Sequence, residues 1–211
     1  AQSVPFSALL DANVLVPNAL RDTLLRVAEA DFYRPLWSQD VLAETRRTIL
    51  RLRPDIAPTR LDSMFADMNR AFSDALVAGY EPLIDGMTNH EGDRHVLAAA
   101  VIGRADVIVT NNLKHFPAAA VDPLNIEILK PDRFLCLQYD LAPSLMVDVI
   151  KRQSADTGRS PGKPSLSLDE LLQFLGGAGA PNFVEHIQGH LAAARHRPRS
   201  PQVPTPRLAK P

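Results

Sequence analysis

Oxygen-bearing side chains recur in this sequence where an apolar segment gives way to a polar one. Asp11 and Asn13 directly follow a short apolar segment that has the length of a buried strand. Glu44 lies six residues after Ser38, which is a favourable N-cap for a helix. Polar groups at the carboxyl ends of parallel strands face a common crevice in an open α/β sheet. We therefore predict that these side chains lie close together.

Asp93 and Asn112 extend the same pattern. Asp93 opens a segment of small apolar residues, and Asn112 comes just after the most strand-like segment, which ends at Thr110. Several carboxylates in one cleft of low dielectric repel one another unless a cation compensates them. Oxygen ligands of this kind suit Mg²⁺ or Mn²⁺. Such an ion can activate water for an in-line displacement at phosphorus.

The elements that must position these residues follow from hydrophobic spacing, helix caps and prolines. Their order alternates strands with helices, which predicts an α/β domain of three α/β/α layers around a mostly parallel central sheet. Strands are expected over about 7–10, 34–37, 80–84, 106–110 and 126–129, and helices over about 19–30, 39–52, 59–78 and 93–103.

Beyond this domain, the pattern changes to helices and then to a proline-rich tail. Helices are expected over about 141–153, 168–174 and 181–194. We therefore divide the chain into an α/β domain at 1–135, a helical extension at 136–194 and a disordered basic tail at 195–211. The tail carries five basic and no acidic residues, so residues 1–194 have a net charge of about −6.

The composition is that of an ordinary globular protein, with 45% hydrophobic and 22% charged residues. No apolar run approaches the roughly 20 residues that cross a bilayer. No apolar run follows a basic start, so a signal peptide is not expected. The single Cys136 excludes an internal disulfide and a cysteine metal cluster. These features together predict a cytoplasmic protein without a membrane partner.

Four motifs in this order resemble the PIN-domain ribonucleases, the fold of VapC-type toxins in bacterial toxin–antitoxin pairs. They are LDANVL from Leu10, SQDVLAE from Ser38, DRHVLAAA from Asp93 and ADVIVTNNLKHFP from Ala105. Their order and spacing match the family across about 5–135, and the C-terminal helices are similar to those of a PIN subgroup. The resemblance implies a metal-dependent endonuclease that acts on single-stranded or looped RNA.

Carried over by this resemblance, the catalytic acids and metal ligands are Asp11, Glu44 and Asp93. Asn112 completes the ligand set where many members have a fourth Asp. Asn13, Thr110 and His115 are expected to line the site. His115 departs from the family, whose members often have Asp before Phe-Pro, and residues 90–92 lack the acid that relatives commonly have three residues before the third ligand.

Three basic residues are candidates for RNA phosphates. Arg47 and Arg51 share the helix face of Glu44, and Lys114 lies in the turn after Asn112. Each site residue also has a local explanation. Glu44 can pair with Arg47 three residues later, Asp11 and Asp93 can cap helices, and the arginines can form a solvated face. Trp37 and Phe116 are expected in the core.

The predicted function is hydrolysis of RNA phosphodiesters with metal-activated water by the toxin of a type II toxin–antitoxin system. Its cofactor is Mg²⁺ or Mn²⁺, and its expected partners are RNA, a cognate antitoxin and a second copy of the chain. One alternative is a catalytically weakened PIN domain that binds RNA or protein. A second alternative is a haloacid-dehalogenase-like phosphatase, whose first strand also ends in Asp.

Overall fold

A five-stranded sheet forms the centre of the molecule in the computed structural model, which describes residues 6–159 and 165–195. The strands lie in the order β3-β2-β1-β4-β5, and every pairing is parallel. The strands are β1 Ser7–Leu10, β2 Arg34–Ser38, β3 Leu76–Val77, β4 Val107–Val109 and β5 Glu127–Leu129.

Ten α-helices accompany the sheet in the described residues. They are α1 Ala12–Leu15, α2 Asn18–Glu29, α3 Gln39–Leu52, α4 Pro58–Ala71, α5 Arg94–Gly103, α6 Ala118–Val121, α7 Pro131–Leu141, α8 Pro143–Asp156, α9 Leu168–Gly177 and α10 Pro181–Arg195. Both alternating sets of side chains of β1 are buried, which requires cover on both faces of the sheet. The predicted three-layer α/β/α architecture is confirmed.

The strand order places a topological switch point between β1 and β4. From β1 the chain builds β2 and β3 on one side, and it then returns to add β4 and β5 on the other. Leu10 of β1 pairs with Val109 of β4, so the residues that follow both strands emerge side by side. Ligands of open α/β sheets bind at this kind of crevice.

The predicted third strand at 80–84 is wrong. Residues Glu81–Gly86 form a 3₁₀ helix, and the edge strand is Leu76–Val77. Pro82 explains the difference, because it lacks an N–H and suits the first turn of a helix. The helix predicted to reach residue 78 ends at Ala71, since the chain must become extended before it pairs with β2.

More residues are helical after the sheet than the sequence predicts. Pro131 occupies the first turn of α7, a position that proline favours, and this helix was not predicted from the sequence. Helix α7 spans residues 135 and 136, where the sequence predicts the domain boundary. Residues 160–164, between the helices predicted at 141–153 and 168–174, and residues 196–211 of the predicted tail lie outside the described residues. No helix within the described ranges is long and apolar enough to cross a membrane.

Candidate active site at the carboxyl end of the sheet

Asp11 lies at the centre of the crevice, directly after β1. Its side chain is only 2% exposed, and three donors hold its carboxylate. Oδ1 accepts the N–H of Ala12 at 2.6 Å, while Oδ2 accepts the Thr110 hydroxyl at 2.6 Å and the Asn13 amide at 2.5 Å. Asp11 therefore caps the one-turn helix α1, whereas the helix after Pro17 has no side-chain cap.

Burial raises the pKa of Asp11 to about 6. The hydrogen bond from Thr110 opposes this rise, and the negative charges of Asp93 and Glu44 add to it. Asp93 and Glu44 therefore lie near enough to Asp11 for their charges to act on its carboxyl group. A carboxylate that is buried at such a cost, yet oriented by three donors, is typical of a functional site.

Asn13 and Thr110 form a polar bridge across the switch point. The Asn13 amide donates to the Thr110 hydroxyl oxygen at 2.9 Å and accepts the N–H of Asn111 at 2.9 Å. The Thr110 hydroxyl oxygen also accepts the N–H of Asn112 at 3.0 Å. The structure thus places Asn13 and Thr110, two of the three predicted site-lining residues, in direct contact with Asp11 and with the turn that carries Asn112.

Glu44 projects from α3 toward α5. Its Oε2 lies 3.7 Å from Nε2 of His95, and it forms no ion pair with Arg47 within the described residues. His95 lowers the pKa of Glu44, with a smaller contribution from Arg47. Burial alone would lower the pKa of His95, but the carboxylates of Glu44, Asp40 and Asp11 raise it overall.

Asp93 precedes α5, but its carboxylate does not cap that helix. Oδ2 instead forms a short hydrogen bond of 2.5 Å with Nδ1 of His115. The ring of His115 stacks on His90 with 4.1 Å between ring centroids. The Asp93 side chain therefore does not serve as a helix cap. It contacts the predicted site residue His115 instead.

The remaining predicted site residues are half-buried or exposed. Asn112 is half-buried in the turn after β4, and Lys114 is exposed in the 3₁₀ turn that follows. Arg47 and Arg51 are exposed on α3. Trp37 and Phe116 are buried in the core, as predicted.

Sequence reasoning missed two residues of the site. His90 contacts the Asp93–His115 pair, and His95 faces Glu44. The two histidines lie within five residues of Asp93 on either side, so a search for metal-binding side chains around the motif would have found them.

The donor set fits a divalent cation. Within the described residues, both polar side-chain atoms of Asn89 and Nδ1 of His95 are buried without a hydrogen-bond partner. Buried polar atoms without partners are rare, and a bound ion or water is a common reason for them. Together with the negative charges of Asp93 and Glu44 that act on buried Asp11, they indicate a site suited to a hydrated cation.

Comparison with known proteins agrees with this geometry. The family model of the PIN domain matches residues 7–114. The family model of the VapC50 C-terminal domain matches residues 131–189. No solved structure is significantly similar to the chain. The PIN match decides against the haloacid-dehalogenase-like alternative.

A curated relative from Mycobacterium tuberculosis (strain ATCC 25618 / H37Rv) bears the name "Putative ribonuclease VapC50". The chain is 60% identical to it over 67 residues, which are 32% of this chain and 40% of the relative. The aligned part thus spans well under two thirds of that relative. The PIN match covers more than half of the chain. The chain therefore belongs to the PIN-domain family, and its C-terminal part matches the VapC50 C-terminal domain.

Proposed function

We propose that this protein is an endoribonuclease that requires Mg²⁺ or Mn²⁺ and acts as the toxin of a toxin–antitoxin pair. The observation that supports it best is the buried carboxylate of Asp11, which three donors hold at the switch point of a PIN fold within electrostatic range of Asp93 and Glu44. The name of the relative, which describes a ribonuclease, supports the same reaction class. A bound divalent cation would polarise water and the scissile phosphate there.

The protein's own residues hold this site in place. Thr110, Asn13 and the N–H of Ala12 orient the Asp11 carboxylate, so its position is set before a ligand binds. Glu44, Asp93 and Asn112 provide the other oxygen ligands in this proposal. His115 can hold or transfer a proton at Nδ1, the atom that faces Asp93.

The RNA substrate and the antitoxin partner are assigned to the surfaces next to the acidic residues. Arg47, Arg51 and Lys114 are exposed cations that we assign to RNA phosphates. An antitoxin would inhibit by covering the acidic crevice. A homodimer and a cytoplasmic location complete the proposal.

RNA cleavage by the purified chain tests this function. We expect discrete cuts in a mixed RNA pool with Mn²⁺, and a loss of at least 100-fold in rate for Asp11→Asn. Asp148→Asn, which removes an exposed carboxylate from α8, is the matched control and should cut normally. Full activity of Asp11→Asn would contradict the proposed role of Asp11.

A second candidate is a catalytically weakened domain that binds RNA or protein. The observation in its favour is the short hydrogen bond by which His115 occupies an oxygen of Asp93. This candidate predicts that the chain binds RNA without cutting it, and that Mn²⁺ raises its melting temperature little. Thermal unfolding with and without Mn²⁺, beside an RNA-binding assay, separates the two.

A further inference from the structure

His90 and His115 lie on either side of the Asp93 carboxylate. Nδ1 of His115 lies 2.5 Å from Oδ2 of Asp93, and Nδ1 of His90 lies 3.8 Å from the same oxygen. One potential ligand atom from each of the three residues lies within 4.8 Å of the other two. Two imidazole nitrogens and one carboxylate oxygen therefore converge at the rim of the crevice.

This donor set differs chemically from the acidic set proposed above. Mg²⁺ prefers oxygen ligands, whereas two imidazoles with one carboxylate suit Zn²⁺ and neighbouring transition metals. Donors at zinc bond lengths in a tetrahedral site lie about 3.3 Å apart. The two measured separations from Asp93, 2.5 and 3.8 Å, lie on either side of that value, so small side-chain movements would bring the atoms into position.

The three residues differ in solvent exposure in a way that suits metal capture. The Asp93 side chain is 12% exposed, while those of His115 and His90 are 23% and 56% exposed. The two rings are nearly parallel, at 13°, and must tilt to direct both nitrogens at one ion. Their exposure leaves room for that tilt and leaves one side of the ion open.

A backbone hydrogen bond and the acceptor role of Nδ1 of His90 also favour metal binding. The N–H of His90 donates to the carbonyl of His115 at 3.0 Å, which ties the two loops together. Nδ1 of His90 accepts a long hydrogen bond of 3.2 Å from the N–H of Gly92. This places a lone pair on Nδ1, which is the electron pair that a metal ion needs.

We propose that His90, Asp93 and His115 bind one first-row transition-metal ion, Zn²⁺ or Co²⁺ in preference to Mg²⁺, and that the proton shared by His115 and Asp93 is released to solvent when the ion binds. The open coordination positions are available to water or a phosphate oxygen. This inference deepens the proposed function, because Asp93 belongs to both donor sets. Any effect of this metal ion on RNA cleavage depends on the proposed function. Metal binding itself does not depend on it, because binding is measured without RNA.

Calorimetric titration of the metal-stripped full-length chain tests the site. We expect one equivalent of Zn²⁺ to bind at least tenfold more tightly than Mg²⁺, and Co²⁺ to show visible absorption bands typical of mixed nitrogen and oxygen ligands. His90→Ala and His115→Ala should each weaken Zn²⁺ binding at least tenfold. His186→Ala removes an exposed histidine of α10 and is the matched control.

Thermal unfolding and two further substitutions of His115 separate an effect on metal binding from an effect on folding. His115→Gln retains a polar partner for Asp93, and thermal unfolding without metal shows whether each variant is folded. His115→Asp replaces the nitrogen donor with oxygen, so it should lower the ratio of Zn²⁺ to Mg²⁺ affinity at least tenfold. Unchanged Zn²⁺ binding in folded His90→Ala and His115→Ala, or its loss in His186→Ala, would overturn the proposed site.

The two proposals fail in different ways. Zn²⁺ binding at these residues without RNA cleavage under any metal would overturn the nuclease and support the metal site. Cleavage with Mn²⁺ that needs Asp11, in a chain whose Zn²⁺ binding ignores His90 and His115, would do the opposite.

Discussion

Asp11 is the residue at which stability and the proposed activity conflict. The folded protein raises its pKa from 3.8 to about 6, so the fold favours the protonated acid. The contribution of this group to stability is therefore complete below about pH 4 and is lost as the pH rises through about 6. At neutral pH the folded protein holds a carboxylate whose charge it disfavours, which is the form that binds a cation.

We therefore expect Asp11→Asn to stabilise the metal-free protein at neutral pH. Two pKa units correspond to about 3 kcal/mol, which is the upper limit for the gain in the free energy of unfolding at pH 7.5. At pH 4 the wild type is also protonated here, so the gain should vanish. Urea denaturation at both pH values, with a chelator and with Asp148→Asn as control, measures the difference. An equal loss of stability at both pH values would contradict the expectation.

Thr110 tunes the same group through its hydroxyl. Thr110→Val removes the donor 2.6 Å from Oδ2 of Asp11, which should raise the pKa of Asp11 further. If cleavage needs the ionised acid, the acidic limb of its pH–rate profile should move to higher pH.

Thr45→Val is the control for this shift. Thr45 is equally buried, but its hydroxyl donates to the backbone of its own helix at Val41. Its pH profile should match that of the wild type. A profile of Thr110→Val that superimposes on the wild type would show that Asp11 does not control the acidic limb.

At the scale of elements, α5 decides how closely Asp93 and His95 approach the sheet. Its alanines at 98, 99 and 100 are fully buried, and the helix contacts β1, β2, β3 and β4. At its end, a Cβ on Gly103 would lie 2.9 Å from Cγ2 of Val77, so even a methyl group is crowded there. Small residues thus let the helix lie against the strands that carry the site.

A larger side chain in this face should cost stability. We expect Ala99→Leu to lower the free energy of unfolding by about 1–3 kcal/mol, because a packed core accommodates added methyl groups poorly. The same change at exposed Ala66 of α4 should have little effect. Chemical denaturation of both variants measures the contrast, and equal stabilities would show that α5 is not tightly packed.

At the scale of the whole molecule, buried polar contacts join the C-terminal helices to the domain that carries the site. The Thr23 hydroxyl of α2 lies 2.7 Å from Oε1 of Gln153 in α8, and both side chains are buried. Arg26 and Asp156 form an ion pair of 2.7 Å nearby. We infer from these contacts that the two parts unfold together.

Trp37 reports on this coupling, because it is the sole tryptophan and is fully buried beside β1. Gln153→Ala should lower the urea midpoint of Trp37 fluorescence, corresponding to about 1–3 kcal/mol, although the substitution lies in α8. Gln188→Ala on the exposed face of α10 should leave it unchanged. A Trp37 midpoint that ignores Gln153→Ala, beside a separate transition in circular dichroism, would show independent domains.

The sequence alone determined the alternating order of strands and helices, the helices near 168–174 and 181–194, and the strand ends that carry Asp11 and Thr110. These features depend on spacing between near neighbours, which local hydrophobicity and caps record. The edge strand at Leu76–Val77 was missed because two residues are too few to show a period.

Only the tertiary structure decided which partner each acid takes. Asp11 receives the hydroxyl of Thr110, which is 99 residues away, Asp93 pairs with His115, and Glu44 faces His95 instead of Arg47. These contacts depend on the register of β1 against β4 and on the closeness of α5 to the sheet, neither of which is encoded by neighbouring residues. The burial that raises the pKa of Asp11 likewise exists only once the strands have assembled.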